Sequence, residues 1–249
     1  MANRRPFQGV LNILSFNRHF YIIGGTVLAA VVAWHVAIGL PPGVFWAIVA
    51  AFAYGLLMPL LVSAYVYDFS DYYSFGWLEG AVPDKESLSH MVNINAGFDE
   101  TSFILAERFP KARLQVFDFY DAERHTEPAI VRARKVSLVY PDTKVIQSNA
   151  IPMNDSSADL IFLLSAAHEI RSNEEKVQFL RECRRVCKPG GQVIMVEHLR
   201  DLPNFLAFSI GVTHFFSRHV WRRAFSDAGF AFVVERKFTP FMSVFYCRP

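Results

Sequence analysis

The chain has 249 residues, of which 52% are hydrophobic and 19% are charged, and its net charge is +2. This composition excludes a disordered, highly charged protein, and the balanced charge does not indicate a nucleic-acid-binding protein. The three cysteines form an odd, sparse set, which argues against a disulfide framework and fits a reducing compartment. The shortage of charge is concentrated in residues 19–67, which contain no Asp, Glu, Lys or Arg.

Two apolar segments fill this charge-free region. They cover residues 20–40 and 44–67 and are separated by a Pro-Pro-Gly turn signal. Each is long enough to cross a bilayer as a helix, so we predict a two-helix transmembrane hairpin over residues 20–67. The alternatives are a pair of buried helices in a soluble core and a cleaved signal peptide. The absence of charge on any helix edge disfavours the first, and the late start and length of the first segment disfavour the second.

Basic residues before the hairpin determine its predicted orientation. Residues 1–19 form a basic arm with Arg4, Arg5 and Arg18 and no acidic residue, whereas the hairpin turn has no basic residue. The positive-inside rule therefore places the N-terminus in the cytoplasm, and two spans return the rest of the chain to the same side. We predict a multi-pass protein of the cytoplasmic (inner) membrane. The aromatic-rich residues 68–87 form a junction that we expect to lie along the membrane surface.

The remaining residues, 88–249, alternate between apolar strands and amphipathic helices. The continuous apolar run at 159–164 is typical of a strand buried on both faces of a parallel sheet. Repeated strand–helix units predict an α/β fold with a doubly wound parallel sheet, closed by an antiparallel pair. We predict strands over residues 89–95, 113–117, 144–147, 159–164, 192–197, 230–235 and 242–247, helices over residues 99–109, 127–136, 173–187, 205–216 and 219–228, and a turn at residues 188–191.

Polar residues collect where five of these strands end. Ligands bind beyond the carboxyl ends of strands in doubly wound sheets, so these residues are the candidate site. Asp118 can accept hydrogen bonds from a ribose diol or cap a helix, and Gly97 can let the backbone approach a cofactor or simply form a turn. Glu169 and Glu197 are functional groups or salt-bridge partners of neighbouring arginines. The residues after the strands are Asn93, Asn95, Gly97, Asp99, Asp118, Asn149, Ala150, His168, Glu169, Glu197 and His198.

Two segments of this region resemble class I S-adenosylmethionine-dependent methyltransferases. Residues 151–162 are similar to the family's segment after the third strand, and residues 184–191 are similar to its Arg-Val-Leu-Lys-Pro-Gly-Gly segment before the fifth. The family's first motif, acidic-x-Gly-x-Gly-x-Gly, aligns with residues 93–99, which keep only its central glycine, Gly97. The resemblance covers roughly residues 88–249 and implies a Rossmann-like, seven-stranded methyltransferase domain.

The resemblance also implies roles for the site residues. Methyl transfer from a sulfonium is an in-line displacement that often requires removal of a proton from the acceptor. His168 and His198 are the candidate bases, because each follows a parallel strand and imidazole titrates near neutral pH. His168 is preferred, since strand four faces the donor sulfonium in this family, and Glu169 or Glu197 would orient either ring. We expect no metal; an ion held by these four residues is the alternative. The expected cofactor, S-adenosylmethionine, would be held by Asn93, Asn95, Gly97, Asp99, Asp118, Asn149 and Ala150.

The hairpin and the apolar, aromatic stretch at residues 204–216 indicate the acceptor. We expect that stretch to form a lid or an interfacial helix, with His214 and His219 in this cover or on polar helix faces. We predict a methyltransferase that acts at the membrane on a lipophilic small molecule or a lipid, with no nucleic-acid partner. The alternatives are a hairpin that only localises the enzyme, a non-catalytic membrane protein with a methyltransferase-like binding domain, and a nicotinamide-dependent oxidoreductase, which the absence of Gly-x-Gly-x-x-Gly disfavours.

Overall fold

The computed structural model describes residues 4–82, 88–124 and 127–249. An N-terminal group of helices precedes an α/β domain, as the alternation of the sequence predicts. The helices are α1 (Gln8–Phe16), α2 (Arg18–Ile38), α3 (Pro42–Ala64), α4 (Ser102–Arg108), α5 (Pro128–Val136), α6 (Asn173–Val186), α7 (Leu202–Phe208) and α8 (Arg218–Asp227). The strands are β1 (His90–Asn95), β2 (Arg113–Asp118), β3 (Lys144–Val145), β4 (Ala158–Leu164), β5 (Cys187–His198), β6 (Phe232–Lys237) and β7 (Met242–Arg248).

The two apolar segments form the helical hairpin α2–α3. Gly39, with φ +83°, ends α2, and the amide of Leu40 donates to His35 Nδ1 over 3.1 Å. The ring of His35 stacks on Phe45, so this histidine serves the turn. Both helices are long and apolar enough to cross a membrane, and their most apolar stretches are not buried by the rest of the protein.

A short helix, α1, forms within the basic arm of residues 1–19, for which no helix is predicted from the sequence. It buries Gly9 and Phe16, and its first-turn amides, those of Gly9 and Val10, donate to the Asp68 carboxylate over 2.7 and 2.9 Å. A Cβ on Gly9 would lie 2.4 Å from the Tyr67 Cβ, so only glycine allows this close approach. The arm is therefore attached to the end of the hairpin.

The junction after the hairpin packs against the sheet. The chain leaves α3 through a π-helical turn, Tyr65–Phe69, and a 3₁₀ turn, Gly76–Leu78. Tyr72, Phe75 and Leu78 are buried in the same apolar cluster as residues of β4, β5 and β7. The junction is thus part of the domain core rather than only a surface segment, and residues 83–87 of its predicted range lie outside the described residues.

The sheet has seven strands in the order β3-β2-β1-β4-β5-β7-β6. All neighbouring pairs are parallel except β5–β7 and β6–β7, so β7 alone runs in the opposite direction. β4 lies at the centre and is buried almost throughout, as its continuous apolar sequence predicts. The strand order reverses between β1 and β4, which places a ligand crevice at their carboxyl ends.

Two local predictions are wrong in detail. The segment predicted as a turn at residues 188–191 is the extended start of β5, where a Cβ on Gly191 would lie 2.7 Å from the Asp159 carbonyl oxygen. The helix predicted over residues 205–216 is instead α7 followed by a 3₁₀ segment, Ser209–His214. Asp201 starts α7 early by accepting the amide of Asn204, and Ser209, with φ +51°, interrupts it.

Candidate active site

Short polar side chains hold the loop that follows β1. The Asn93 amide donates to the hydroxyls of Thr101 and Ser102 over 3.0 and 2.8 Å. Asp99 accepts the amides of the same two residues over 2.9 Å each, which fixes the start of α4. Asn95 accepts the amide of Gly97 over 3.0 Å. Hydrogen bonds from asparagine and aspartate side chains thus stabilise the loop at residues 93–99, where the methyltransferase motif has glycines.

Gly97 is the glycine that this loop requires. Its φ is +89°, and an added Cβ would lie 2.7 Å from a guanidinium nitrogen of Arg134 and 3.0 Å from the Tyr120 side chain. Asp118, at the end of β2, accepts the Tyr120 amide over 2.8 Å and an Arg134 N–H over 2.6 Å. The Arg134 guanidinium also covers the Tyr120 ring at 4.4 Å. Because Glu127 is the N-cap of α5, Asp118 does not cap that helix.

The residues at the ends of β1 and β2 form the cofactor half of the site, and they fit an adenosyl cofactor. A cavity of about 540 Å³ lies beyond β2 and β3 and is lined by Tyr120 and Asn149, among others. Buried acceptor atoms Asn93 Oδ1 and Asp99 Oδ2 have no hydrogen-bond partner in the described part of the chain, so they are available to a cationic donor. Ala150 lies in an exposed turn beside this cavity. Asp118 becomes available to a ribose diol once Arg134 releases it.

His168 lies on a 3₁₀ turn, Ala167–Glu169, after β4. Its Nδ1 is 2.7 Å from Glu197 Oε2, and its amide donates to Glu197 Oε1 over 3.2 Å. Burial alone would lower the pKa of His168, but the charge of Glu197 and the hydrogen bonds to Glu169 and Glu197 raise it to about 10. His168 is therefore an imidazolium at neutral pH in this arrangement.

His198, at the end of β5, has the opposite electrostatics. Its Nδ1 lies 3.0 Å from Asn204 Oδ1 and 3.1 Å from the Phe241 carbonyl oxygen. A carbonyl oxygen only accepts, so Nδ1 carries the hydrogen, and Nε2 accepts the Tyr67 hydroxyl over 3.0 Å. Burial lowers the pKa of His198 to about 4, so this imidazole is neutral at physiological pH.

A third histidine, His214, joins the first from the segment after α7. Its Nε2 is 3.9 Å from Glu169 Oε1 and its Nδ1 is 3.2 Å from Glu127. Phe215 stacks on His198 with ring centroids 4.9 Å apart. The covering stretch at residues 204–216 therefore contributes directly to this half of the site. His219, the other histidine considered for the cover, is exposed on α8.

The structure separates the predicted residues into three groups. His168, Glu169 and Glu197 lie together with His214, whereas His198 contacts Tyr67 and Asn204 instead. The predicted cofactor residues Asn93, Asn95, Gly97, Asp99 and Asp118 gather at the ends of β1 and β2, whereas Asn149 lines the neighbouring cavity, which none of those five lines.

Sequence reasoning missed three contributors: Tyr67, Arg134 and Glu100. Glu100 accepts from Arg4 over 2.8 Å, Gln8 over 2.7 Å and Asn12 over 2.9 Å, and also from Tyr73. Gln8 and Asn12 are four residues apart and share one face of α1, which is a signal that the sequence does contain, whereas Arg4 precedes that helix. No comparable signal marks Tyr67 or Arg134.

Comparisons with known proteins agree with this geometry. Residues 94–195 match the family model described as a methyltransferase domain. A highly reducing polyketide synthase of Pyrenophora dematioidea is 31% identical over 91 residues, which covers 31% of this chain and 3% of that protein. The chain thus spans a small fraction of that relative.

Solved structures show the same fold at low sequence identity. Human N-acetylserotonin methyltransferase, in complex with S-adenosylmethionine, superposes with a TM-score of 0.57 at 16% identity, covering 98% of this chain and 71% of that chain. A Nostoc punctiforme protein described as a candidate O-methyltransferase gives 0.55 at 18% identity, covering 96% and 71%. A methyltransferase of Aquifex aeolicus gives 0.50 at 18% identity, covering 77% and 96%.

The family match runs from within β1 to within β5 and so contains the loop, Asp118 and the turn that carries His168. The match to the human enzyme extends over nearly the whole chain, so the apolar N-terminal helices also have counterparts in a solved structure. Residues 94–195 therefore match a methyltransferase domain, and S-adenosylmethionine is the methyl donor of that domain.

Proposed function

We propose that this enzyme methylates a hydroxyl oxygen of a lipophilic acceptor, a small molecule or a lipid, that reaches the site from a membrane holding the α2–α3 hairpin. One observation carries the proposal. Tyr67 lies on the helical turn that directly follows α3, and its hydroxyl is 3.0 Å from Nε2 of His198. The apolar hairpin thus ends at the neutral imidazole of the candidate site.

Exposed apolar surface next to the hairpin supports membrane insertion. Tyr54 of α3 donates its hydroxyl to the Leu206 carbonyl over 2.5 Å, which joins α3 to α7. Continuous exposed apolar surface of this kind marks an interaction or membrane surface, because its burial in hydrocarbon is favourable. The side chains that continue this surface are Leu202, Phe205, Leu206 and Ile210, at 68%, 53%, 50% and 82% exposure.

The packing of α1 agrees with the proposed topology. Arg4 pairs with Glu100 over 2.8 Å, and Phe16 packs edge-on against Phe98 at 5.3 Å. The N-terminal segment and the methyltransferase domain must therefore lie on the same side of a membrane. An even number of spans between them satisfies this requirement, and the basic residues Arg5 and Arg18 favour the cytoplasmic side.

Oxygen as the acceptor atom is supported by the environment of His198. The cofactor, when bound, supplies a methyl group on a sulfonium. A hydroxyl that takes the place of the Tyr67 hydroxyl would donate to Nε2 of His198, which accepts the proton as the oxygen is alkylated. The name of one structural neighbour, the candidate O-methyltransferase of Nostoc punctiforme, points to the same chemistry. Phe208 and Phe215 pack against His198 and exclude water.

The geometry favours His198 over His168 as the proton acceptor. A pKa of about 10 leaves His168 protonated and unable to accept a proton near neutral pH, whereas His198 is neutral. His168 and Glu169 would instead form the wall of the acceptor site. Asp118 would bind the ribose, and the Asn93–Asp99 loop the cationic end of the cofactor.

The test uses the full chain in vesicles made from the lipid extract of its host. Methyl-labelled S-adenosylmethionine is added, and the organic phase is analysed by mass spectrometry. We expect label in one lipid-extractable species that gains one methyl mass. Cofactor binding without any transfer would support a non-catalytic binding domain, and transfer to a water-soluble acceptor alone would show that the hairpin only localises the enzyme. Either result contradicts the proposal.

A further inference from the structure

We propose that His168, Glu169 and His214 bind a divalent transition-metal ion, with Zn²⁺ as the representative. The ligand atoms of these three residues all lie within 4.8 Å of one another. His168 Nε2 is 3.5 Å from Glu169 Oε1, and His214 Nε2 is 3.9 Å from the same oxygen. The site is independent of the acceptor's identity and therefore goes beyond the proposed function.

These separations suit a metal with imidazole and carboxylate ligands. Ligands about 2.1 Å from Zn²⁺ in a tetrahedron are about 3.4 Å apart, close to the two distances above. Two histidines and one carboxylate form a ligand set used for Zn²⁺ and for non-haem Fe²⁺, and it leaves positions open for water or another oxygen ligand.

The outer contacts of the two histidines follow the pattern of metal ligands. The Nδ1 atoms face away from Glu169, and each meets a carboxylate: His168 meets Glu197 at 2.7 Å, and His214 meets Glu127 at 3.2 Å. Metal-bound histidines commonly donate their second nitrogen to a carboxylate, which orients the ring and directs the other nitrogen to the ion. Both Nε2 atoms are directed towards Glu169 in this way.

The backbone around the cluster is fixed by one arginine. Arg171 donates to the carbonyl oxygens of His168 and His214 over 3.1 and 2.6 Å, so it joins the turn after β4 to the segment after α7. Its guanidinium lies over Phe216 at 4.5 Å. Ligands held on segments that are already joined need little rearrangement to receive an ion.

Charge also favours a cation here. With both imidazoles neutral, as metal ligands must be, Glu127, Glu169 and Glu197 place three negative charges around the two rings, against the one positive charge of Arg171. A divalent ion would offset the remaining two. It would also hold the Ser209–His214 segment over the end of β4. The ring of Phe215 contacts both His168 and His198, so the ion would lie one phenyl ring away from His198.

The experiment titrates the chelator-treated full-length protein in detergent micelles with Zn²⁺ by calorimetry and with Co²⁺ by visible spectroscopy. We expect one equivalent per chain and Co²⁺ d–d bands. In His214→Ala and in Glu169→Gln, both verified as folded by circular dichroism, affinity should fall by at least about 10–100-fold, the size of effect that even outer-shell changes produce. His219→Ala, which removes an exposed histidine of α8, should bind as the wild type does.

Three outcomes would overturn the proposal. They are the absence of saturable Zn²⁺ binding by the wild-type protein, unchanged affinity in both ligand variants, and a near-ultraviolet Co²⁺–thiolate band. The last would place the ion at the three buried cysteines, Cys183, Cys187 and Cys247, instead.

Discussion

The sheet has an amino edge, where its parallel strands begin, and a carboxyl edge, where they end, and charged residues serve the two edges in different ways. β4 runs from the first edge to the second. At the amino edge, Asp159 accepts from the Ser89 and His90 amides, the Ser89 hydroxyl and Lys188, at 2.6–3.0 Å. Burial opposes ionisation of Asp159, but these hydrogen bonds lower its pKa to about 2. At the carboxyl edge, the pKa values of His168 and His198 move in opposite directions, to about 10 and about 4.

The comparison teaches that a shifted pKa does not by itself locate a functional site. Asp159 ties the starts of β1, β4 and β5 together, and all of its partners belong to the protein. At the carboxyl edge, neutral His198 faces the Tyr67 hydroxyl, and Asp118 pairs with the partly exposed side chain of Arg134. Substitutions at the first edge should therefore change stability, and those at the second should change activity or binding.

The largest expected effect is on turnover. His198→Gln should lower turnover by about 10²–10⁴-fold with little change in cofactor affinity, because it removes the proton acceptor but no cofactor contact. Wild-type activity should also fall as the pH drops towards about 4, where His198 gains its proton. Initial rates, calorimetry with S-adenosylmethionine and melting temperature on one preparation separate these effects.

The matched control for that prediction is His219→Gln, which alters an exposed histidine on α8. It should retain wild-type turnover. Normal turnover in His198→Gln would remove His198 from the mechanism. Equal turnover per folded molecule together with a lower melting temperature would limit it to a structural role.

A smaller effect is expected on cofactor binding. Asp118→Ala should weaken S-adenosylmethionine binding by about 2–4 kcal/mol, since two charge-assisted hydrogen bonds to the ribose are lost. Arg134→Ala should bind the cofactor at least as well as the wild type, because it frees the Asp118 carboxylate from the 2.6 Å ion pair. Calorimetry on both variants measures the difference, and equal affinities in Asp118→Ala and wild type would contradict the assignment.

The smallest effect should appear at the amino edge. The Asp159 carboxylate has a pKa below its unfolded value, so its contribution is present above pH 3.8 and is lost as the pH falls through about 2. Asp159→Asn should therefore destabilise the fold by about 1–2 kcal/mol at pH 7, a discounted figure for a partly exposed pair, with cofactor affinity unchanged. Denaturant unfolding at pH 7 and pH 2 should show this difference shrink, and a loss of cofactor affinity would break the distinction between the edges.

Local sequence was sufficient for most of the fold and for the polar residues that order the loop after β1. The apolar run of β4, the helix ending at Val186 and the polar residues after β1 and β2 each depend on neighbours within a few residues. The family resemblance then implied a Rossmann-like domain of seven strands, and the structure has seven strands.

The acceptor half could not be predicted in this way. Tyr67 meets His198 across 131 positions of sequence, and His214 meets Glu127 and Glu169 from another segment. No local periodic pattern marks either pairing. Both pairings depend on how the junction and the covering segment pack on the folded sheet. The opposite protonation of His168 and His198 has the same origin, since it depends on which carboxylates fold beside each ring.

Tyr67 and Asp68 are consecutive residues of one helical turn, yet they serve opposite halves of the protein. Tyr67 contacts His198, while Asp68 holds the first turn of α1, the helix whose side chains grip the end of the cofactor loop at Glu100. Any rotation of this turn displaces both contacts at once. A tilt of α2–α3 against the domain would therefore reach the His198 half and the Asn93–Asp99 half together, through a single peptide unit.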